Sequence, residues 1–158
     1  MPNCCGGLQS SSLRRIYWET IKYALCRGLF VSSRIKVDVW QIHNGIISEP
    51  VNAIPLEKTI KRMDEIITVG RGEGNDIRMW HSFISTNHGR IFAEKGVFTT
   101  HLDYEDFSRY GTTVLHWRRG LKGETVFVHT SKVKITPGDW ILITEQGVYG
   151  VLLIPRVL

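Results

Sequence analysis

The fold is decided by the stretch from Ile66 to Thr112, which reads IITVGRGEGNDIRMWHSFISTNHGRIFAEKGVFTTHLDYEDFSRYGT. It opens on a β-type run that ends at Gly70-Arg71 and enters a Gly-rich turn. Two polar loops follow, at residues 85–88 and 108–112. The runs between the three loops are apolar enough to be core strands. Loops of this composition, gathered at one end of a sheet, form a polar binding surface.

Five short motifs resemble the forkhead-associated (FHA) domain in their order and spacing. They are Gly70-Arg71, Asn75-Asp76-Ile77, Ile84-Ser85 with His88, Ser108 with Gly111-Thr112, and Gly138-Asp139 before an apolar run. The resemblance runs from about residue 35 to the C-terminus and leaves the preceding residues unexplained. It implies a β-sandwich whose apical loops bind a phosphothreonine in a partner protein.

Short strands separated by turns are predicted from residue 35 onward. Residues 35–42 alternate between apolar and polar side chains, as a half-buried strand does, whereas residues 44–63 are mostly loop with room for a short extended piece at residues 54–56. Further strands are predicted at residues 66–69, 76–79, 97–102, 113–117, 125–129, 132–136, 140–144 and 148–154. The pattern predicts an all-β, FHA-like β-sandwich of about ten to eleven strands with a short N-terminal helical extension.

The length of 158 residues suits one domain with a real core. We expect a basic extension at residues 1–34 and the sandwich domain at residues 35–158. The cysteines, Cys4, Cys5 and Cys26, all precede the predicted sandwich, and the neighbours Cys4 and Cys5 are poor partners for each other. This spacing does not support a disulfide framework, so a reducing, cytoplasmic location is expected.

Positive charge is concentrated near the N-terminus. Residues 1–34 contain five basic residues and one acidic residue, whereas the rest of the chain contains fifteen and fourteen. The basic turn at Arg118-Arg119 has no interleaved aromatic residues beyond Trp117. The charge distribution therefore gives no support for nucleic-acid binding by the sandwich.

A basic amphipathic helix is predicted at residues 13–27, between three serines and a glycine. Three interpretations stay open. The helix packs on the sandwich or on a partner subunit, it anchors the chain at a membrane surface with lipidated Cys4 and Cys5, or it is a cleaved organelle-targeting segment. The last two make an organellar or membrane-peripheral location, through residues 1–30, the alternative to the cytoplasm.

Arg71 is the main candidate for binding an anion. It ends a strand inside a Gly-rich turn, so its guanidinium is presented to solvent beside backbone N–H groups freed by Gly72 and Gly74. A planar fork for two oxygens with amide donors nearby suits a phosphate. The structural alternative is that Arg71 pairs with Asp76 or another acid.

The next two loops add donors to the same candidate site. Ser85 and Thr86 contribute hydroxyl groups, and Arg109 contributes a second cation. In the structural alternative, the hydroxyl groups cap their own turns.

The resemblance assigns roles to the motif residues. It gives the phosphate contacts to Arg71 and Ser85. The structural positions of the motif are Gly70, His88, Gly111 and Thr112. Of these, His88 bridges the loops by hydrogen bonds from within the fold, and Gly111-Thr112 shape the third loop.

Two positions depart from the family pattern. Thr86 stands where the family usually has a basic or amide residue. Tyr110 stands where the family usually has an asparagine that hydrogen-bonds the peptide backbone of the ligand. The single hydroxyl group of a tyrosine cannot replace the separate donor and acceptor groups that an amide offers at that place. The predicted phosphopeptide-binding residues are Arg71, Ser85, Thr86, Arg109 and Tyr110.

The sequence does not predict an enzyme, because no loop carries an acid, a base and a nucleophile together. Ser85 and His88 share one short loop without a nucleophile elbow, and the glycines after residue 69 precede a strand where a dinucleotide site needs a helix. The histidines lack metal-ligand spacing. Neither a cofactor nor a metal is therefore expected. The acidic run at residues 103–106 is expected to be a solvated loop.

The predicted function is a non-catalytic protein–protein interaction module that recognises a phosphothreonine-containing protein. The alternative is a phosphate-independent FHA-like assembly or scaffold subunit of a larger complex, in which the peptide-reading site has degenerated. A protein or protein complex is thus the expected partner. A membrane surface is a further partner through the N-terminal helix, and no nucleic acid is expected.

Overall fold

Twelve strands form the part of the chain that the computed structural model describes, namely residues 34–48, 56–59, 64–95, 99–119 and 121–158. In chain order they are β1 (Arg34–His43), β2 (Ile46–Ser48), β3 (Leu56–Thr59), β4 (Asp64–Gly70), β5 (Ile77–Arg78), β6 (Gly89–Lys95), β7 (Thr100–Asp106), β8 (Thr112–Arg118), β9 (Leu121–Val128), β10 (Lys132–Ile135), β11 (Trp140–Glu145) and β12 (Tyr149–Val157). These ranges contain no helix, and so none that is long and apolar enough to cross a membrane. The all-β prediction is confirmed.

The chain divides into two units, residues 1–31 and residues 32–158. All described residues belong to the second unit. The helix predicted at residues 13–27 lies outside them, and the domain boundary expected at residue 34 stays a prediction.

The strands form two sheets. One has the order β2-β1-β12-β11-β8-β9, with β3 also pairing with β1, and the other has the order β10-β7-β6-β4-β5. The pairs are antiparallel apart from β4 and β5, which run parallel. The main core lies between the sheets, because alternate side chains of strands in both sheets enter one buried apolar cluster.

The side chains of β12 alternate between two apolar clusters. Val151 and Leu153 enter the main core, whereas Leu152 and Ile154 belong to a second apolar cluster with Trp40. Successive side chains of a strand point to opposite faces of the sheet, so the second cluster lies on the outer face. The apolar run of β12 therefore covers both faces of a central strand.

Two short strands occupy the region predicted to be mostly loop. β2 pairs with residues 41–43 of β1, and β3 pairs with residues 34–37 of the same strand. No signal in the sequence predicted β2, whereas β3 begins at Leu56, the last residue of the extended piece that was predicted. The three side chains of β2 are all exposed, so that strand has no buried face and no alternation for the sequence to show.

The acidic run at residues 103–106 is part of β7, and the prediction of a solvated loop is wrong. Asp106 is fully buried. Asp103 lies 2.9 Å from Lys132 Nζ, and the carboxylate of Glu105 lies 2.7 Å from Arg90. The acids at 103 and 105 share the solvent side of a half-buried strand, where ion pairs across neighbouring strands hold them.

Asp139 fixes the turn that precedes β11. Its buried carboxylate accepts hydrogen bonds from the N–H groups of Trp117 (2.9 Å) and Thr136 (2.8 Å) and from His116 Nδ1 (2.7 Å). Burial alone raises the pKa of this carboxyl group, but the hydrogen bonds outweigh burial and hold the pKa below its usual range.

We expect Asp139→Asn to lower the free energy of unfolding by roughly 2 kcal/mol at pH 7, because an amide cannot accept all these bonds. The folded-state pKa lies below the unfolded one, so the charge stabilises the fold above the unfolded pKa of about 4. That contribution is lost as the pH falls through the folded pKa. Urea unfolding between pH 7 and pH 2 should show that the difference in free energy of unfolding between wild type and variant becomes smaller in acid. A difference that does not change with pH would mean that the charge of Asp139 does not stabilise the fold.

Candidate functional site

A groove of about 880 Å³ opens where loops from both sheets meet. Its lining comes from the residue after β4, from the β5–β6 loop, from the β7–β8 loop and from the β11–β12 hairpin. The residues predicted to bind a phosphopeptide all line it, and they are Arg71, Ser85, Thr86, Arg109 and Tyr110. Three loops that are separated along the sequence thus meet in one groove.

Arg71 presents a guanidinium to this groove. The side chain is exposed, and its Nε donates to the carbonyl oxygen of Ile84 at 3.1 Å. Among the described residues no carboxylate pairs with it. Asp76, the alternative partner, instead accepts from the N–H (2.8 Å) and hydroxyl (3.0 Å) of Thr68. The Nε bond orients the guanidinium, and within the described part of the chain its terminal nitrogens keep their protons for an oxyanion.

Gly72 does not offer the free amide donor that the sequence suggested. The N–H of Arg71 donates to the Ser85 carbonyl, and the N–H of Gly72 donates to the Thr86 carbonyl, both at 3.0 Å. Asn75 Nδ2 adds bonds to the carbonyls of Thr86 (2.8 Å) and Gly72 (3.0 Å). The interpretation that Gly72 frees an N–H for a phosphate is therefore wrong, because the turn pairs with the β5–β6 loop.

Gly70 lies where these two loops touch. A Cβ atom at this position would overlap the carbonyl oxygen of Thr86 and would lie 2.9 Å from Asn75 Nδ2. Neither atom can retreat without breaking the hydrogen bonds between the loops. A side chain at residue 70 would therefore force the two loops apart.

Ser85 connects the second and third loops of the groove. Its Oγ accepts from the Arg109 N–H at 3.1 Å, and its own N–H donates to His88 Nδ1 at 3.3 Å. The hydroxyl proton of Ser85 has no acceptor among the described residues, so it is available to a ligand oxygen. His88 takes the backbone N–H and not the hydroxyl, and the two residues do not form a nucleophile–base pair.

A buried network of hydrogen bonds holds these loops together. Burial lowers the pKa of His88, against the effect of Asp106, and a neutral ring can accept from Ser85 at Nδ1. Its Nε2 then carries the proton and donates to Thr112 Oγ1 at 3.1 Å. Thr112 in turn donates to Asp106 at 2.6 Å and accepts from the Tyr104 hydroxyl at 3.0 Å. Because each polar group has a partner, the network fixes the loop positions.

Asp106 also shapes the third loop. Its Oδ1 accepts from the N–H and the hydroxyl of Ser108, both at 3.0 Å. Ser108 Oγ accepts from the Gly111 N–H at 2.8 Å. Sequence reasoning missed Asp106, since a buried acid inside an acidic run has the same composition as a solvated one. The sequence did hold one signal. Asp106 follows Tyr104 by two residues, so in a strand both side chains point to the same, inner face.

Arg109 and Tyr110 stand exposed at the edge of the groove. Tyr110 is 61% exposed, and the Arg109 guanidinium lies 5.3 Å from the centre of its ring. This is a cation–π distance. The contact keeps the second positive charge beside the groove and the aromatic ring.

The β11–β12 hairpin supplies a wall that sequence reasoning missed. Thr144, Glu145 and Gln146 line the groove. Gln146 and Gly147 have φ angles of 51° and 73°, and they are the central residues of a tight turn that the Val148 N–H closes onto the Glu145 carbonyl. No local motif marks this wall, because it joins the groove only through the pairing of β11 with β8.

The described residues contain no group of three or more His, Cys, Asp or Glu side chains placed to hold a metal ion.

Comparison with protein families decides the assignment of this scaffold. Residues 67–143 match the family model of the FHA domain. These residues form an FHA domain. The match covers all five motifs, from Gly70 to the apolar run that follows Gly138-Asp139. The resemblance noted in the sequence is confirmed. No curated protein matches the chain.

Solved structures share the fold of this FHA domain. Full-length Pml1p from yeast is 14% identical, with 91% of this chain and 92% of that one covered and a TM-score of 0.54. The MEK1 FHA domain is 12% identical, with 89% and 99% covered and a TM-score of 0.51. The N-terminal FHA domain of Rad53p from S. cerevisiae, solved with a phosphothreonine peptide, is 17% identical, with 81% and 94% covered and a TM-score of 0.48. At these identities the likeness concerns the fold alone.

Proposed function

We propose that this chain is a non-catalytic protein–protein interaction module whose FHA domain binds a phosphothreonine in a partner protein. The observation that carries the proposal is the convergence of two guanidinium groups and a hydroxyl donor on one groove, from Arg71, Arg109 and Ser85. A phosphorylated side chain carries nearly two negative charges and three acceptor oxygens at pH 7. Cations and hydroxyl donors on separate, braced loops suit such a group.

In this proposal each groove residue has a distinct task. Arg71 binds the phosphate through its terminal nitrogens, and the Ser85 hydroxyl donates to a second phosphate oxygen. Arg109 adds long-range attraction from the third loop. Thr86 and Tyr110 contact the peptide around the phosphate. The backbone amides of Arg71 and Gly72 take no part, since they hold the loops to each other.

The position of Tyr110 favours a second candidate function. A phenol ring cannot read a peptide backbone as an amide does, and this ring is exposed on the lining of the groove. The second candidate is a phosphate-independent assembly or scaffold subunit that uses the FHA fold without phosphothreonine.

Tyr110→Asn separates the two functions. If the module reads phosphothreonine in a changed manner, the ring packs on the ligand, and we expect the variant to bind a phosphothreonine peptide about three- to tenfold more weakly than wild type. Titrations at two salt concentrations should also show weaker binding at high salt, because exposed charges are screened. Absent binding by wild type, with or without a gain in the variant, would support the scaffold function instead.

A further inference from the structure

We propose that Glu145 makes the groove select a basic residue near the phosphothreonine, so that the ligand is a peptide with phosphate and a cation on one short segment. This inference rests on the proposed phosphothreonine binding. It assigns a specificity role to the β11–β12 hairpin, which the sequence did not connect with the groove.

The position of Glu145 follows from the pairing of β11 with β8. The two strands are antiparallel, with Ile141 opposite Val114 and Leu142 opposite Thr113. Glu145 is the last residue of β11, three residues beyond Leu142 and toward the end of β8 that follows the loop with Tyr110. Both residues line the groove. The acidic side chain therefore stands on the wall formed by the larger sheet, whereas Arg71 and Ser85 belong to the loops of the other sheet.

The carboxylate of Glu145 is exposed, and none of the described residues forms an ion pair with it. Asp38 and Glu105 are acids on the sheets that do have partners. Asp38 pairs with Lys36 and Arg156, and Glu105 pairs with Arg90. A ligand that covers Glu145 without offering a cation would leave a charge without solvent or partner, which is unfavourable. A lysine or arginine of the ligand removes that cost.

The hairpin holds the backbone of Glu145 at a fixed place. The N–H of Val148 donates to the Glu145 carbonyl at 3.0 Å and closes the tight turn. The carbonyl of Val148 accepts from the Gly45 N–H at 3.0 Å, which ties the turn to the β1–β2 hairpin. A charge on a braced backbone loses less conformational freedom when it binds than a charge on a mobile loop.

The groove is therefore dipolar, with Arg71 and Arg109 as its positive groups and Glu145 as a negative one. An exposed ion pair changes an affinity by up to about fivefold. Repulsion of an acidic ligand residue by Glu145 acts in the same direction, since selectivity comes from penalties as well as attractions. Together they predict a preference for arginine over aspartate of roughly tenfold at the ligand position that faces Glu145.

The test is a set of phosphothreonine peptides that carry a single Arg, Ala or Asp at each position flanking the phosphate in an otherwise neutral sequence. Each is titrated against wild type, Glu145→Gln and Glu145→Lys. Glu124→Lys is the matched control, because Glu124 is exposed on β9 and does not line the groove. Thermal unfolding checks that all variants are folded.

We expect wild type to prefer Arg over Asp at one position or two adjacent ones. Glu145→Gln should reduce the preference to about twofold or less, and Glu145→Lys should invert it at the same position. Glu124→Lys should keep the wild-type ranking. A ranking that is the same in wild type and both Glu145 variants, or a wild type without preference, overturns the role of Glu145 while phosphate-dependent binding stands. If wild type binds phosphorylated and unphosphorylated peptides alike, the proposed function fails and the role of Glu145 fails with it.

Discussion

Replacing Arg71 by alanine is expected to lower the affinity for a phosphothreonine peptide by roughly ten- to a hundredfold while the domain stays folded. A charge-assisted hydrogen-bonded contact with a phosphate contributes about 1.5–3 kcal/mol, which corresponds to that range. The fold should tolerate the change, because the exposed side chain makes one hydrogen bond, to the Ile84 carbonyl, among the described residues. Calorimetric titration measures the affinity, and thermal unfolding measures the stability.

Arg78→Ala is the matched control for this experiment. Arg78 is an exposed arginine on β5, pairs with Glu73 at 3.3 Å and does not line the groove. Arg78→Ala removes one positive charge near the groove, as Arg71→Ala does, and it should change the affinity by no more than about twofold. If Arg71→Ala unfolds the domain, Arg71 has a structural role. If both variants bind equally well, the phosphate does not contact Arg71.

Thr112→Val should destabilise the FHA domain by about 3 kcal/mol. The two side chains have nearly the same shape, so the change removes a hydroxyl group and little packing. Without that hydroxyl, His88 Nε2, the Tyr104 hydroxyl and the Asp106 carboxylate each lose one partner inside the core. A buried polar group left without a partner costs about 1–3 kcal/mol, and some of that cost is recovered by rearrangement. Urea unfolding measures the difference.

The neighbouring residue provides the control for this second prediction. Thr113 is next in β8 and only partly buried, and its side chain points to the opposite face of the strand. Thr113→Val should therefore change the free energy of unfolding by less than about 1 kcal/mol. We also expect Thr112→Val to weaken phosphopeptide binding, since the network positions the Ser85 loop. Equal and small effects of both substitutions would show that the network contributes little to the stability of the loops.

The parts of the fold that the sequence predicted are those with a local signal. β1 alternates between apolar and polar residues and is buried at alternate positions near its start. β12 holds a continuous apolar run, and that run is buried. Arg71 was expected at the end of a strand beside a turn, and the structure places it there, exposed on the groove. Strand type and strand end are properties of a few consecutive residues, so composition and period are enough to find them.

The parts that the sequence could not predict depend on partners far along the chain. Gly72 was expected to offer a free N–H, but its acceptor is the carbonyl of Thr86 in another loop. Asp106 was expected in solvent, but Thr112 and Ser108 surround its carboxylate inside the fold. Glu145 reaches the groove only because β11 lies beside β8. The surroundings of each of these three residues depend on which loops the order of strands brings together, and a local sequence pattern does not predict that order.

We propose that this FHA domain binds its partner through a phosphorylated threonine. The most direct test is a calorimetric titration of the folded wild-type chain with one peptide sequence in two forms, threonine and phosphothreonine. The sequence is selected beforehand from a phosphothreonine peptide library by pull-down on the protein. We predict that the phosphorylated form binds at least roughly tenfold more tightly, as a charge-assisted phosphate contact implies. Equal affinity for the two forms, or no binding of any library member, would contradict the account.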